Sequence, residues 1–212
     1  MVKEIMIFVG DIALPKGVNF NIKTPDNIFK DKVTIANLEG PIIGDKSKLI
    51  KNSVGLYSTS DINYLFEQLN IKGVSLANNH ITDFHNSIKS TIDFLTKNSI
   101  LYCGAGENKE QARKEMVFKD LKTVFLAYGW KTIQCIPATK TSEGINVLEP
   151  KKLLQDIIRV KNIYKGYKIV LLLHWNYELE LYPQPAHRQL AFRAIDYGAD
   201  IIVGHHPHVV QG

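Results

Sequence analysis

The sequence contains only two cysteines and has no long apolar run. Cys103 and Cys135 form no CxxC pair, which excludes a disulfide framework and leaves the redox compartment open. The first apolar run, Ile5 to Val9, is too short for the h-region of a signal peptide or for a membrane span, and no later run is longer. As written, the sequence predicts a cytoplasmic protein, or a membrane-associated or extracytoplasmic one if an N-terminal anchor has been removed.

The excess of positive over negative charge is also small. The formal net charge is +5 over 212 residues, and the densest basic segment, 46–51, has no interleaved aromatic residues. We therefore expect no nucleic-acid partner. The sequence lacks a P-loop, a dinucleotide fingerprint, a nucleophile-elbow serine and a CxxC motif, so nucleotide-driven, hydride-transfer and thiol chemistry receive no support.

What is present is an alternation of strand and helix patterns. Short β-branched runs alternate with amphipathic stretches, which predicts an α/β fold with a largely parallel component and one core. The predicted strands are Ile5 to Val9, Val33 to Ala36, Val74 to Ala77, Val124 to Ala127, Ile169 to Leu173 and Ile201 to Val203. Helices are predicted to begin near Ser60, Asn86, Pro150 and Pro185, and the last is predicted to end before Gly198.

Polar side chains follow five of these strands. They are Asp11, Asn37 with Glu39, Asn78 with Asn79 and His80, His174, and His206 with His208. Ligands of open α/β sheets bind outside the carboxyl ends of the strands, so we expect these side chains to converge on one site.

The composition of this set predicts a metal centre. Carboxylates, carboxamides and imidazoles without thiolates suit zinc, manganese or iron. Seven or eight such groups exceed the needs of one ion and suit two divalent ions about 4 Å apart. Two cations of that kind clamp the attacking and leaving oxygens of a displacement at phosphorus, which favours phosphoester hydrolysis.

The order of these motifs resembles that of the CapA/PgsA-type capsule (poly-γ-glutamate) synthesis proteins of the calcineurin-like metallophosphoesterase superfamily. The motifs are Gly10-Asp11, Asn37-Leu38-Glu39-Gly40-Pro41, Asn78-Asn79-His80 with Asp83, His174-Trp175 with Glu178 and Pro183, and Gly204-His205-His206-Pro207-His208 with Gln211. The resemblance implies a four-layer α/β/β/α sandwich of two mixed sheets. It covers nearly the whole chain, which we expect to be one domain over residues 1–212.

The resemblance also implies a role for each site residue. Asp11 and His208 would bind the first metal, and Glu39 would bridge the two. The second metal would be bound by Asn79, His174 and His206. His80 would protonate the leaving oxygen and Asp83 would orient it, whereas Asn37 would either ligate or hydrogen-bond. No substrate-binding residue follows from the motifs.

Three departures from the family pattern bear on function. Ala13 stands where the superfamily usually has the histidine of Asp-x-His, Asn176 replaces a common glycine, and the sequence ends directly after the last motif, as if the domain were C-terminally truncated and lacked its last strands. For the remaining histidines we expect structural roles. His85 and His187 are predicted on the surface, and His205 is predicted to face away from the metals because alternate residues of a strand point in opposite directions.

The resemblance favours a metal-dependent phosphoesterase that acts in capsule, poly-γ-glutamate or other surface-polymer synthesis. The expected substrate is a phosphorylated small molecule or a polymer-linked phosphoester, and the expected partner is a polymer-synthase complex. The alternative is a non-catalytic metal-binding partner of such a complex, which the missing Asp-x-His favours. A peptide or amide hydrolase with the same dinuclear centre is a third hypothesis.

Overall fold

The chain forms two stacked sheets and a short ribbon in a computed structural model that describes residues 5–16, 18, 28–43 and 55–211. The strands are β1 (Met6–Ile12), β2 (Val33–Leu38), β3 (Ile71–Ser75), β4 (Leu101–Cys103), β5 (Ala105–Gly106), β6 (Met116–Phe118), β7 (Thr123–Gly129), β8 (Gly144–Ile145), β9 (Lys168–His174) and β10 (Ile201–His205). The first sheet has the order β1-β2-β3-β4 and is parallel throughout. The second has the order β10-β9-β7-β6, in which the β6–β7 pair is antiparallel, and β5 pairs with β8 in the ribbon.

Helices cover the outer face of each sheet. They are α1 (Ile62–Gln68), α2 (Ser87–Lys97), α3 (Lys109–Ala112), α4 (Pro150–Ile163) and α5 (Pro185–Tyr197). Proline opens α4 and α5, where its missing N–H costs nothing, and Gly198 ends α5 in the left-handed conformation. The apolar faces of α1 and α2 pack on the first sheet, and those of α4 and α5 pack on the second.

A third apolar cluster lies between the two sheets. Its buried members come from both sheets and from the loops at their edge: Ile35, Ala77, Cys103, Met116, Phe125, Ala127, Val170 and Leu172. The order of layers is therefore helix, sheet, sheet, helix, which confirms the predicted α/β sandwich. Cys103 and Cys135 are both buried and unbridged.

The strands that carry the motifs were predicted, and several small elements were not. β4, β5, β6, β8 and α3 have two to four residues each, too few to produce a periodic pattern. The basic segment 46–51 lies outside the described residues. Within the described part of the chain, no helix is both long and apolar enough to cross a membrane.

Candidate metal centre

The site lies where the carboxyl ends of strands from both sheets meet. Asp11 and Asn37 are register partners across β1 and β2, and His174 and His205 are register partners across β9 and β10. Asn37 connects the two sheets, because its Nδ2 lies 2.7 Å from Asp11 Oδ1 and 3.3 Å from His174 Nδ1. The structure therefore brings the predicted strand-end residues together.

Asp11 is held by contacts on both carboxylate oxygens. Oδ1 accepts the hydrogen bond from Asn37 and lies 3.4 Å from His205 Nδ1. Oδ2 accepts the His206 backbone N–H at 3.1 Å and lies 3.5 Å from His208 Nδ1. Asp11 thus fixes the loop after β10 against the end of β1.

Glu39 belongs to two groups of potential ligands. One group is Glu39, His174 and His206, and the other is Asp11, Glu39 and His208; in each, one ligand atom per residue lies within 4.8 Å of the others. Glu39 Oε1 is 3.8 Å from His174 Nε2 and 3.9 Å from His208 Nε2. Two metal-binding groups that share one carboxylate are the arrangement expected for a bridged pair of ions.

Asn79 adds an amide oxygen to the first of these groups. Its Oδ1 lies 2.8 Å from His174 Nε2, so both atoms face the same part of the cleft. Asn37 makes hydrogen bonds through both amide atoms, because its nitrogen contacts Asp11 and its oxygen accepts from Asn78 Nδ2 at 3.3 Å.

The two carboxylates have opposite pKa shifts. Burial raises the pKa of Asp11, but the hydrogen bond and charge of His205, the charge of His174 and the bond from Asn37 outweigh it, and the net pKa lies well below the ordinary value. Burial, followed by the charge of Asp11, raises the pKa of Glu39 to about 7. Burial likewise lowers the pKa of His174 and of His206, so both rings favour the neutral form that binds metal.

His206 gives the clearest sign that the residues fit a metal. Its ring packs 4.8 Å from the His174 ring, and its buried Nδ1 has no hydrogen-bond partner among the described residues. An orphaned buried nitrogen is costly, and coordination would satisfy it. The donor set has nitrogen and oxygen without sulfur, which suits Mn, Fe or Zn.

His80 and Asp83 form a pair beside these ligands. His80 Nδ1 lies 2.7 Å from Asp83 Oδ2, and the same oxygen accepts the Leu56 backbone N–H at 3.0 Å. The His80 side chain is 33% exposed, whereas that of Asp83 is 7% exposed. The charge of His80 is one of the smaller contributions that lower the pKa of Glu39, His174 and His206.

Asn78, which the sequence places among the converging side chains without a role of its own, is a structural residue of the site. It is fully buried, its Nδ2 donates to the Leu38 carbonyl at 2.8 Å, and its Oδ1 accepts from the backbone N–H of Gly40 and of His80. It therefore holds the segments that carry Glu39 and His80. The only available signal was its position beside Asn79 after a buried strand.

His205 faces the site, contrary to prediction. The alternation rule applies to an extended strand, but β10 ends at His205 and the backbone at His206 has φ +91°. The left-handed backbone at His206 lets the rings of His205 and His206 both point into the cleft. His205 is buried against Asp11. Although Ala13 occupies the usual histidine position, a second imidazole therefore lies beside Asp11, and it belongs to His205.

His187 is buried, also contrary to prediction, whereas His85 is exposed as expected. The His187 ring stacks on Trp175 at 4.8 Å and meets the edge of Trp130 at 4.5 Å. Its Nδ1 lies 2.7 Å from Asn176 Oδ1, in the loop after His174. The sequence correctly predicted that His187 lies at the start of a helix. It could not predict that two tryptophans pack on the His187 ring.

Comparison with known proteins agrees with the motif order. The family described as "Bacterial capsule synthesis protein PGA_cap" matches residues 5–212. The chain is 31% identical over 229 residues to the capsule biosynthesis protein CapA of Bacillus anthracis, covering 99% of this chain and 55% of that protein. It is 28% identical over 219 residues to the PGA biosynthesis protein CapA of Bacillus subtilis (strain 168), covering 96% of this chain and 57% of that protein. The chain thus spans little more than half the length of these relatives.

Proposed function

The chain belongs to the bacterial capsule synthesis protein family PGA_cap, and from this premise we propose that it is a metal-dependent phosphoesterase that acts in the synthesis of a capsule, of poly-γ-glutamate or of another surface polymer. Its substrate would be a phosphorylated small molecule or a polymer-linked phosphoester. A polymer-synthase complex would be its natural partner.

One observation carries the proposal, namely that Glu39 is shared by two groups of potential metal ligands. Asp11, Glu39 and His208 would hold one divalent ion, and Glu39, Asn79, His174 and His206 would hold the other. Such ions, Mn, Fe or Zn, supply Lewis acidity at a phosphoryl group and lower the pKa of bound water.

The protein's own residues would supply proton transfer and orientation. The Asp83 carboxylate accepts a hydrogen bond from His80 Nδ1, so it orients the ring and stabilises its charged form, which is the form that can donate a proton. His80 Nε2 would then donate a proton to the leaving oxygen. His205, His174 and Asn37 keep Asp11 ionised, and the His206 backbone N–H helps to hold it in place.

A second hypothesis is a non-catalytic metal-binding partner of a polymer-synthesis complex. The group of potential ligands formed by Asp11, Glu39 and His208 favours this hypothesis. Its one imidazole, His208, has a side chain 42% exposed to solvent, unlike the buried His174 and His206. Weak binding of that ion would leave a one-metal protein.

The proposal is tested by metal content and by hydrolysis of 4-nitrophenyl phosphate and bis(4-nitrophenyl) phosphate with added Mn²⁺ or Zn²⁺. We expect His206→Ala to lose metal and turnover together. His80→Ala should keep its metal and lose roughly a hundredfold in kcat, the usual contribution of a general acid. His85→Ala, an exposed histidine outside the site, should behave as wild type.

Asp83→Asn separates positioning from structure, because it should move the alkaline limb of the pH–rate profile, where a general acid loses its proton, as well as lower kcat. A metal-loaded protein without turnover on either ester would support the non-catalytic partner instead. Full activity in His80→Ala would contradict the general-acid role assigned to His80.

A further inference from the structure

Hydrogen bonds to a single loop hold residues 207–211, the segment that carries His208. Three such bonds connect this segment to the rest of the described chain, and all three go to residues 176–180. The Gln211 side chain makes two of them. Its Oε1 accepts from Asn176 Nδ2 at 3.0 Å, and its Nε2 donates to a backbone carbonyl of the same loop at 2.6 Å. The position of His208 therefore depends on this loop.

The backbone on both sides of Pro207 is strained. His206 has φ +91° and His208 has φ +54°, a region that residues other than glycine enter at a cost. Strain of this kind persists only where surrounding contacts fix the backbone. The His206 N–H donates to Asp11 Oδ2 at 3.1 Å, but no hydrogen bond from the described residues reaches the backbone of His208. His208 is thus held through its neighbours, and Gln211 is the anchor on its C-terminal side.

The hydrogen bonds around Asn176 fix the orientation of its amide. Its Oδ1 lies 3.0 Å from the Gln184 backbone N–H, which can only donate, so Oδ1 is the acceptor and Nδ2 is left to donate to Gln211. His187 Nδ1 lies 2.7 Å from the same oxygen and therefore carries the proton of that contact. Asn176 is 1% exposed, and an amide so deeply buried requires these partners. Asn176 therefore connects α5 to Gln211.

The ligands of the other proposed ion are held without this connection. His174 ends β9 and is buried, and His206 is buried directly after β10. The Glu39 N–H donates to the Ile12 carbonyl at 2.9 Å, which fixes Glu39 to the end of β1. The side chain of His208, by contrast, is 42% exposed. Loosening of the segment after β10 should therefore affect one group of ligands much more than the other.

We propose that Asn176 and Gln211, here called the amide clamp, are positioning residues that hold His208 for a divalent ion bound by Asp11, Glu39 and His208. This inference rests on the proposed metal centre and concerns only the occupancy of one of its two positions. Without the clamp, the segment that carries His208 would have to be ordered when the ion binds. The conformational entropy lost in that ordering would weaken the binding of that ion.

The test counts the Mn²⁺ ions bound to the full chain from the electron paramagnetic resonance signal of the free ion. Asn176→Gly removes the amide and keeps a left-handed backbone, whose φ is +69°. Gln211→Ala removes the other half of the clamp at a half-buried position, so it remains informative even if Asn176→Gly fails to fold. The matched control is Gln189→Ala, an exposed glutamine on α5.

We expect the wild type and Gln189→Ala to bind two ions. Each clamp variant should lose roughly tenfold or more in affinity for one ion and about twofold or less for the other, as is usual when a residue that supports a metal ligand is removed. With a chelator present, Gln211→Ala should melt within a few degrees of the wild type. Equal weakening of both ions would show general destabilisation and would overturn the proposal, as would a wild type that binds one ion.

The double variant separates positioning from independent structural effects. Because Asn176 and Gln211 act through one shared contact, Asn176→Gly combined with Gln211→Ala should have an affinity within about twofold of the weaker single variant. Losses that add in the double variant would contradict the clamp. A wild type that binds two ions but hydrolyses neither nitrophenyl ester would refute the phosphoesterase activity and leave the result on the clamp intact.

Discussion

At the scale of single residues, Asp11 and Glu39 show how one cleft treats two carboxylates differently. The hydrogen bond and charge of His205, the charge of His174 and the hydrogen bond from Asn37 favour the charged form of Asp11. Glu39 is buried beside that charge, with two imidazoles no closer than 3.8 Å, so its charged form is disfavoured. The cleft therefore stores unfavourable electrostatic energy at Glu39 that a cation would relieve.

We predict that Glu39→Gln stabilises the protein in the presence of a chelator at pH 8. The pKa of Glu39 is about 7 in the folded state and 4.5 in its ordinary state, so the folded state binds more protons between these values and stability falls as the pH rises through that window. Removing the charge should recover on the order of 2 to 3 kcal/mol at pH 8 and almost nothing at pH 4. Urea denaturation at both pH values measures this.

The matched control is Glu67→Gln on the exposed face of α1, where the free energy of unfolding should change by less than about 0.5 kcal/mol at either pH. A Glu39→Gln variant that is destabilised at pH 8 under chelation would show that Glu39 is held by favourable contacts and would contradict the pKa argument.

At the scale of elements, the sequence predicted the strands and helices that have long patterns. Val124 to Ala127 lies within β7 and Ile169 to Leu173 within β9, because continuous apolar runs suit strands buried on both faces. The helix starts at Pro150 and Pro185 are correct because local capping fixes them. The ribbon of β5 and β8 escaped prediction, since its two-residue strands exist only through contacts made by the folded chain.

The site was predictable in its members but not in its contacts. Strand order and motif order place Asp11, Glu39 and His174 at one edge, and the structure brings them together as expected. The orientation of His205 depends on the left-handed backbone at His206, and the burial of His187 depends on Trp130 and Trp175. Neither a dihedral angle nor a tertiary contact of this kind is encoded in a short motif.

We predict that Gly104→Ala is among the costly single substitutions between the two sheets. Gly104 has φ +94°, and a Cβ there would lie 2.7 Å from the Cβ atoms of both Ala77 and Ala127. These alanines lie in the core between the sheets, where neighbouring backbone leaves little freedom to move. Left-handed strain and overpacking together should lower the free energy of unfolding by about 3 kcal/mol, measured by urea denaturation.

Gly166→Ala separates the two causes. Gly166 also has a positive φ, +79°, but a Cβ there meets no atom within 4 Å. It should cost only about 1 kcal/mol, the price of the left-handed conformation alone. Equal costs at Gly104 and Gly166 would mean that the sheets separate easily and that packing contributes nothing at Gly104.

At the scale of the whole molecule, the metal centre joins the two sheets. Asp11 and Glu39 come from the first sheet and the loop after it, whereas His174, His206 and His208 come from the second sheet and the loop after β10. Unfolding of either sheet would separate the ligands. Binding of a metal by this set of residues would therefore be coupled to global stability.

We accordingly predict that Mn²⁺ or Zn²⁺ at about a hundred times its dissociation constant raises the melting temperature by about 5 to 10 °C, since binding to the folded state alone contributes about 2.7 kcal/mol. His206→Ala should lose most of this shift because it removes a ligand from the group shared with Glu39 and His174.

His80→Ala should retain the shift, because His80 is paired with Asp83 and lies outside both groups of potential ligands. Ca²⁺, which prefers oxygen ligands, should shift the melting temperature little. Loss of the shift in His80→Ala would contradict the ligand assignment, because His80 is not assigned as a ligand. An equal shift with Ca²⁺ would also contradict it, because Ca²⁺ prefers oxygen ligands over imidazole nitrogen.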